Sequence, residues 1–181
     1  MNLEQQESIY QEFVLCLKAD FPTFELRNKK DVWFMKAINI FLLTVTFGKF
    51  SGFMDNFITT IGNAVYVSSH WDKMTSASKY VVLRHERTHM RQSKRHGRFL
   101  YSFLYLFGYL PAGWCVWRAQ FEQEAYEETV KAAALVYGCD YVKTAAFRGR
   151  IINMFLGPEY LWMYPFPESI EKWFDGVLNR I

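Results

Sequence analysis

The strongest constraint on this chain is a helix that must carry two imidazoles on one face, in Leu83-Arg84-His85-Glu86-Arg87-Thr88-His89. The helix signals around it are complete. Thr75 or Ser76 can cap its start, no proline interrupts it, and Gly97 stops it after His96. Its basic last turn complements the helix dipole. Residues four apart on a helix lie one turn above each other, so His85 and His89 project toward one point. Glu86 lies about 100° round from His85. From there its carboxylate can reach a water on a metal ion without occupying the metal. Zinc chemistry needs this arrangement: the ion brings the pKa of water from about 16 toward about 7, and the glutamate takes the proton as the water attacks a carbonyl.

Two histidines leave such an ion short of the three protein ligands that catalytic zinc uses. His96 does not suit, because the metzincin spacing needs a histidine ten residues after the first with a glycine turn between. Gln92 stands where that glycine would be, and His96 lies too far along the same helix to return. It reads as a surface histidine beside Gly97. His70 is isolated in the polar connection Ser69 to Ser76 and is a candidate for contacting substrate. The remaining source is the acidic run Phe121-Glu122-Gln123-Glu124-Ala125-Tyr126, on a helix expected from about Trp117 to Tyr137 with Gly138 as its stop.

HExxH followed by a second helix bearing Glu-x-x-Ala resembles the gluzincin peptidases. It is similar to the membrane CaaX-type and heat-shock peptidases, and to smaller cytoplasmic peptidases that cleave phage and stress repressors. The resemblance covers roughly Ile61 to Val130. It implies a zincin-like fold, Zn2+ as cofactor and a protein or peptide as substrate. It also implies His85 and His89 as metal ligands, Glu86 as base, Glu122 as third ligand, and Ala125 as the small residue that lets two helices approach. The segment Ala64 to Val67 resembles the edge strand along which such peptidases align an extended substrate. Several of these families place an acid or amide after the alanine to steady a ligand histidine. Tyr126 holds that position here, leaving its hydroxyl for the task.

The residues themselves bear on the choice of carboxylate. Glu122 and Glu124 point about 200° apart, so only one can face the metal. Phe121, Ala125 and Thr129 mark the buried side, which favours Glu122. Glu124, Glu127 and Glu128 read as the solvated face, with Glu127 able to pair with Lys131. Tyr160, Tyr164 and His70 are the candidate donors to a developing oxyanion. The aromatic loop from Tyr160 to Phe166 reads as core, with the lining of a substrate cleft as the alternative.

The rest of the chain points to an α+β, mostly α, architecture in one domain over residues 1–181. Leu3 to Ala19 has helical apolar spacing, and Asp31 can cap a helix over Val32 to about Leu43. Phe57 to Thr60 and Ala64 to Val67 flank Ile61-Gly62-Asn63 as a short hairpin before the active-site helix. Helices are expected near Val142 to Phe155, before Gly157-Pro158, and near Ser169 to Leu178. With 51% hydrophobic and 19% aromatic residues, disorder is excluded. Cys16, Cys115 and Cys139 form no CxxC pair and read as buried apolar residues in a reducing compartment. The polar N-terminus carries no secretory signal. Ile38 to Phe47 is too short to span a bilayer, and Leu100 to Trp117, broken by Gly108, Pro111 and Gly113, reads as a buried helix and turn. A cytoplasmic protein is expected, with membrane contact peripheral at most. The net charge of +3 does not call for a nucleic-acid partner, and Arg91, Lys94, Arg95 and Arg98 read as a solvated face. The alternative function is a zincin-fold binding or scaffold protein without turnover, with that basic face as a surface for nucleic acid or membrane.

Overall fold

The computed structural model describes residues 1–45, 47–48, 51–107, 116–157 and 163–181. Eight α-helices and a three-stranded sheet are present among them, an α+β architecture that is mostly α. Helix α1 (Leu3–Asp20) opens on Asn2, whose side chain accepts from Gln5 N while the Gln5 side chain accepts from Asn2 N. That reciprocal pair satisfies two otherwise orphaned donors. Strand β1 (Glu25–Asn28) leads through a 3-10 turn into α2 (Trp33–Val45). Asp31 belongs to that turn, so α2 starts two residues after it, at Trp33.

Strands β2 (Thr59–Ile61) and β3 (Ala64–Val67) form the expected hairpin, with Ile61 opposite Ala64 across Gly62-Asn63. Gly62 has φ 63°, as the first central position of a tight hairpin turn requires. A Cβ there would also meet the Arg98 guanidinium at 2.8 Å. One expectation is corrected. Ala64–Val67 is the central strand, not an edge, because β1 pairs with it in parallel and gives the order β1-β3-β2. Among the described residues the edge on the hairpin side is β2.

Helix α3 (Ser76–His96) begins at Thr75, whose hydroxyl accepts from Ser78 N, and ends at Gly97 with φ 80°. Helices α4 (Arg98–Phe107), α5 (Val116–Tyr137), α6 (Cys139–Val142), α7 (Ala145–Leu156) and α8 (Pro167–Leu178) follow. The pair α3–α5 is the most extensive contact in the molecule. On one side of it Phe13 and Leu17 of α1, Val65 and Val67 of the sheet, and Leu83 and Met90 of α3 share a core. On the other side α5 packs on α7 and α8 through Val130, Phe155 and Phe174. Buried on both sides, α5 uses the small run Ala132-Ala133-Ala134 where helices approach closely. Leu83 is fully buried, and truncating such a residue to alanine costs about 2–5 kcal/mol.

Two further expectations are corrected. Helix α4 is not buried: Phe99 is 91% exposed, and Leu100 and Phe103 are exposed too. Only one side of it, with Tyr101 and Tyr105 one turn apart, meets α3 and α5. Cys16 and Cys139 are exposed, not core residues. Cys115, Gly108, Pro111 and Gly113 lie outside the described residues. No described helix is long and apolar enough to cross a membrane.

Candidate metal centre

Helix α3 brings His85 and His89 one turn apart, and α5 lays Glu122 against them. The three potential ligand atoms lie within 4.8 Å of one another, and Glu122 is only 1% exposed. His85 Nε2 stands 3.0 Å from His89 Nε2 and 3.5 Å from Glu122 Oε2, and His89 Nε2 is 3.7 Å from Glu122 Oε1.

The contacts behind the rings bear on what those nitrogens carry. The Thr129 hydroxyl lies 3.2 Å from Ala125 O and 3.0 Å from His85 Nδ1, and with its single proton on Ala125 O it accepts from the ring. The Gln92 amide nitrogen donates to Phe121 O at 2.9 Å and to Glu124 Oε2 at 3.0 Å. Its carbonyl oxygen therefore faces His89 Nδ1, 3.0 Å away, and accepts from it. With those roles both imidazoles are Nδ1–H tautomers, and the Nε2 lone pairs aim at each other. Two lone pairs at that distance repel unless a cation or proton lies between them. Glu122 Oε2 is buried and has no hydrogen-bond donor, which is costly for a carboxylate.

A metal ion would resolve both features at once. Three ligands about 2.0–2.1 Å from one tetrahedral ion stand about 3.4 Å apart, close to the 3.0 Å between the two Nε2 atoms and the 3.5 Å from His85 Nε2 to Glu122 Oε2. The buried His-His-Glu group can hold a metal ion. Burial pushes the Glu122 carboxyl up, but the His89 and His85 imidazoles and the Tyr105 hydroxyl outweigh it and hold the pKa down at about 2. Burial pulls His85 down, but the Glu122 carboxylate beside it, then Glu86, raises it overall.

The chain matches no family model, no curated protein and no solved structure. What it does must be read from its own site.

Glu86, one residue along α3 from His85, is buried but lies outside the ligand group. The Thr60 hydroxyl of β2 donates to its Oε2 at 2.6 Å. His85 and Glu86 open onto a groove of about 440 Å³ between α3, α5, α7 and the segment entering β2. Ala125 is fully buried on the α5 face that meets the ligands.

The structure brings His85, Glu86, His89 and Glu122 together and leaves the other candidates elsewhere. Glu124 turns to Gln92 and to Arg95. His96 packs its ring 5.3 Å from Phe121. The Nδ1 of His70 lies 3.0 Å from Asp55 O, in the turn before α3, and His70 does not line the groove. Tyr164 packs on Phe166 and the core beside α7, also away from the groove. Tyr160 lies outside the described residues. Arg91 pairs with Asp20 at 3.6 Å and Arg95 with Glu124 at 3.5 Å, so part of the basic face is neutralised.

Sequence reasoning passed over the residues that orient the ligands. Tyr126 presents its ring edge to His85 at 4.6 Å, whereas the acceptor for Nδ1 is Thr129. In the sequence Gln92 stands out only as the residue where a metzincin glycine would be. Its place three residues after His89 is the signal that could have found it, since i and i+3 are neighbours on a helix. Tyr101, 3.1 Å from His89 Nδ1, and Tyr105, on Glu122 Oε1, reach in from α4.

Proposed function

We propose that this protein is a zinc-dependent peptidase in which His85, His89 and Glu122 hold the ion and Glu86 is the general base. One observation carries the reading: two lone-pair nitrogens and a donorless carboxylate oxygen converge beside a second carboxylate that is held separately. Imidazole and carboxylate donors suit zinc, which supplies Lewis acidity and brings the pKa of water near 7.

The chain's residues account for the other requirements. Thr129 and Gln92 keep both imidazoles in the ligating tautomer and orientation. Tyr105 steadies one Glu122 oxygen and leaves the other for the ion. Thr60 holds one oxygen of Glu86, so the carboxylate is placed to take a proton from water and return it to the departing amine. An extended peptide added along the β2 edge passes beside Glu86, and backbone pairing gives affinity without demanding one sequence.

Elemental analysis of purified wild type and Glu122→Ala, with peptide-library cleavage by wild type and Glu86→Gln, tests the reading. Wild type is expected to hold one zinc and to cleave in a chelator-sensitive manner. Glu86→Gln keeps the zinc and loses about 10²–10⁴-fold in rate. Cleavage by Glu86→Gln at the wild-type rate would falsify the assignment of the base.

A further inference from the structure

The groove continues well past the metal centre, and its far end has a different chemistry. His85 on α3 meets Thr129 on α5, and seven residues earlier Ser78 Oγ lies 2.8 Å from the Tyr137 hydroxyl. The two helices therefore run antiparallel, and the seam between these contacts is about 10 Å long at 1.5 Å per helical residue. That is about three residues of extended chain. Between the ends the lining is apolar: Val81 and Val82 of α3, Ala133 of α5, Ile151 and Met154 of α7.

At the far end an aromatic chain leads to a cation. The Tyr137 and Tyr141 rings are 4.9 Å apart, Tyr141 meets Phe147 at 5.2 Å, and the Arg150 guanidinium lies 5.1 Å over the Phe147 ring. Arg150 is exposed and lines the groove. Arg84, Arg87, Arg91, Arg95, Arg148 and Arg180 each have a carboxylate partner, whereas Arg150 has none within 4.0 Å among the described residues. The Phe147 face orients its planar donors and leaves them for a carboxylate.

Building on the peptidase reading, we infer that the substrate is a peptide with a carboxylate at least about three residues from the scissile bond. Arg150 binds that carboxylate, and an apolar side chain between the two points fills the seam. The carboxylate comes from an Asp or Glu side chain or from the peptide's own C-terminus.

Two synthetic series separate these sources. One is C-terminally amidated, with Asp, Asn or Lys placed two to four residues on either side of an apolar position. The other lacks internal acids and ends in either a free carboxylate or an amide. Zinc-loaded wild type and Arg150→Glu are assayed for cleavage, and the same peptides are tested for binding to zinc-loaded Glu86→Gln with and without Arg150→Glu. Wild type is expected to favour the acidic peptide by about tenfold in KM with kcat little changed, and Arg150→Glu to favour Lys instead. Preference confined to one series identifies the source of the carboxylate. Charge-dependent binding that Arg150→Glu reverses, without cleavage by wild type, supports the groove assignment and removes the peptidase reading. Cleavage with no charge preference, or one untouched by Arg150→Glu, overturns the groove assignment and leaves the peptidase reading standing.

Discussion

Two places among the described residues bury charge in opposite ways. At the α3–α5 seam a carboxylate and two imidazoles converge, and one Glu122 oxygen has no donor. Beside the sheet, Lys29 is 0% exposed, yet its ammonium donates to Phe53 O at 2.8 Å and rests 3.8 Å over the Phe53 ring. The first arrangement is incomplete without a cation, whereas the second is a cation already housed. Burial of a charged group therefore does not itself mark a site. The mark is convergence of several groups whose remaining valences meet at one point.

The sharpest way to break that contrast is to remove one member from each place. Glu122→Ala takes away one of three ligands and is expected to abolish stoichiometric zinc, while Lys29→Met leaves zinc content at the wild-type level. Next in size come the residues behind the rings. Thr129→Val and Gln92→Leu each free a ligand imidazole to turn or to change tautomer, and each is expected to weaken zinc about 10–100-fold. Competition with a chelator of known affinity measures this. Zinc affinity unchanged in both variants would show that ring packing, not Thr129 and Gln92, sets the ligand geometry.

Much of this centre was legible in the sequence because helices convert spacing into direction. The i, i+4 histidines, the Thr75 and Gly97 boundaries, and the phase that separates Glu122 from Glu124 all follow from 3.6 residues per turn. Partners from non-adjacent elements were not legible. Strand β1 is four residues of Glu-Leu-Arg-Asn, mostly exposed, and exists through parallel pairing with a segment far along the chain. Without it β3 looked like an edge. Helix α4 was misjudged for a related reason: apolar composition says nothing about which face meets a neighbour, and only Tyr101 and Tyr105 do so at the site. Lys29 gave no signal, since its acceptor is a backbone carbonyl 24 residues away.

A smaller effect is expected in the pH dependence of the chelated protein. Glu122 titrates at about 2 in the folded chain against an ordinary value near 4.5, so it contributes stability above pH 4.5 that is lost as pH falls toward 2. His85 is raised, so its contribution is complete below about 6.5 and is lost as pH rises through the folded value. The melting temperature of chelated protein should therefore peak between about pH 4.5 and 6.5. Zinc is expected to add most once pH has risen past the folded value of His85, where that imidazole has released its proton. Glu122→Gln should flatten the acid side of the peak. An unaltered acid limb in that variant would place the linkage on other carboxylates.

The smallest effect concerns Lys29. Burial lowers its pKa from 10.5 to about 8, with Glu86 pulling weakly the other way. Between pH 8 and 10.5 the unfolded chain holds a proton there that the folded chain has largely released, so wild-type stability gains as pH rises through that interval. Lys29→Met removes the gain together with the hydrogen bond to Phe53 O. At neutral pH the two changes oppose each other: a buried carbonyl loses its donor, which costs about 1–3 kcal/mol, while the desolvation of an ammonium is relieved. The difference in melting temperature between the two proteins is then the diagnostic, because the other alkaline groups titrate in both and cancel. It should shift in favour of wild type between pH 8 and 10. A difference that stays flat would mean that Lys29 keeps its charge in the folded state to the same pH as in the unfolded chain. The housing offered by Phe53 would then be as good as water, and the line drawn between a completed charge and an incomplete one would rest on Glu122 alone.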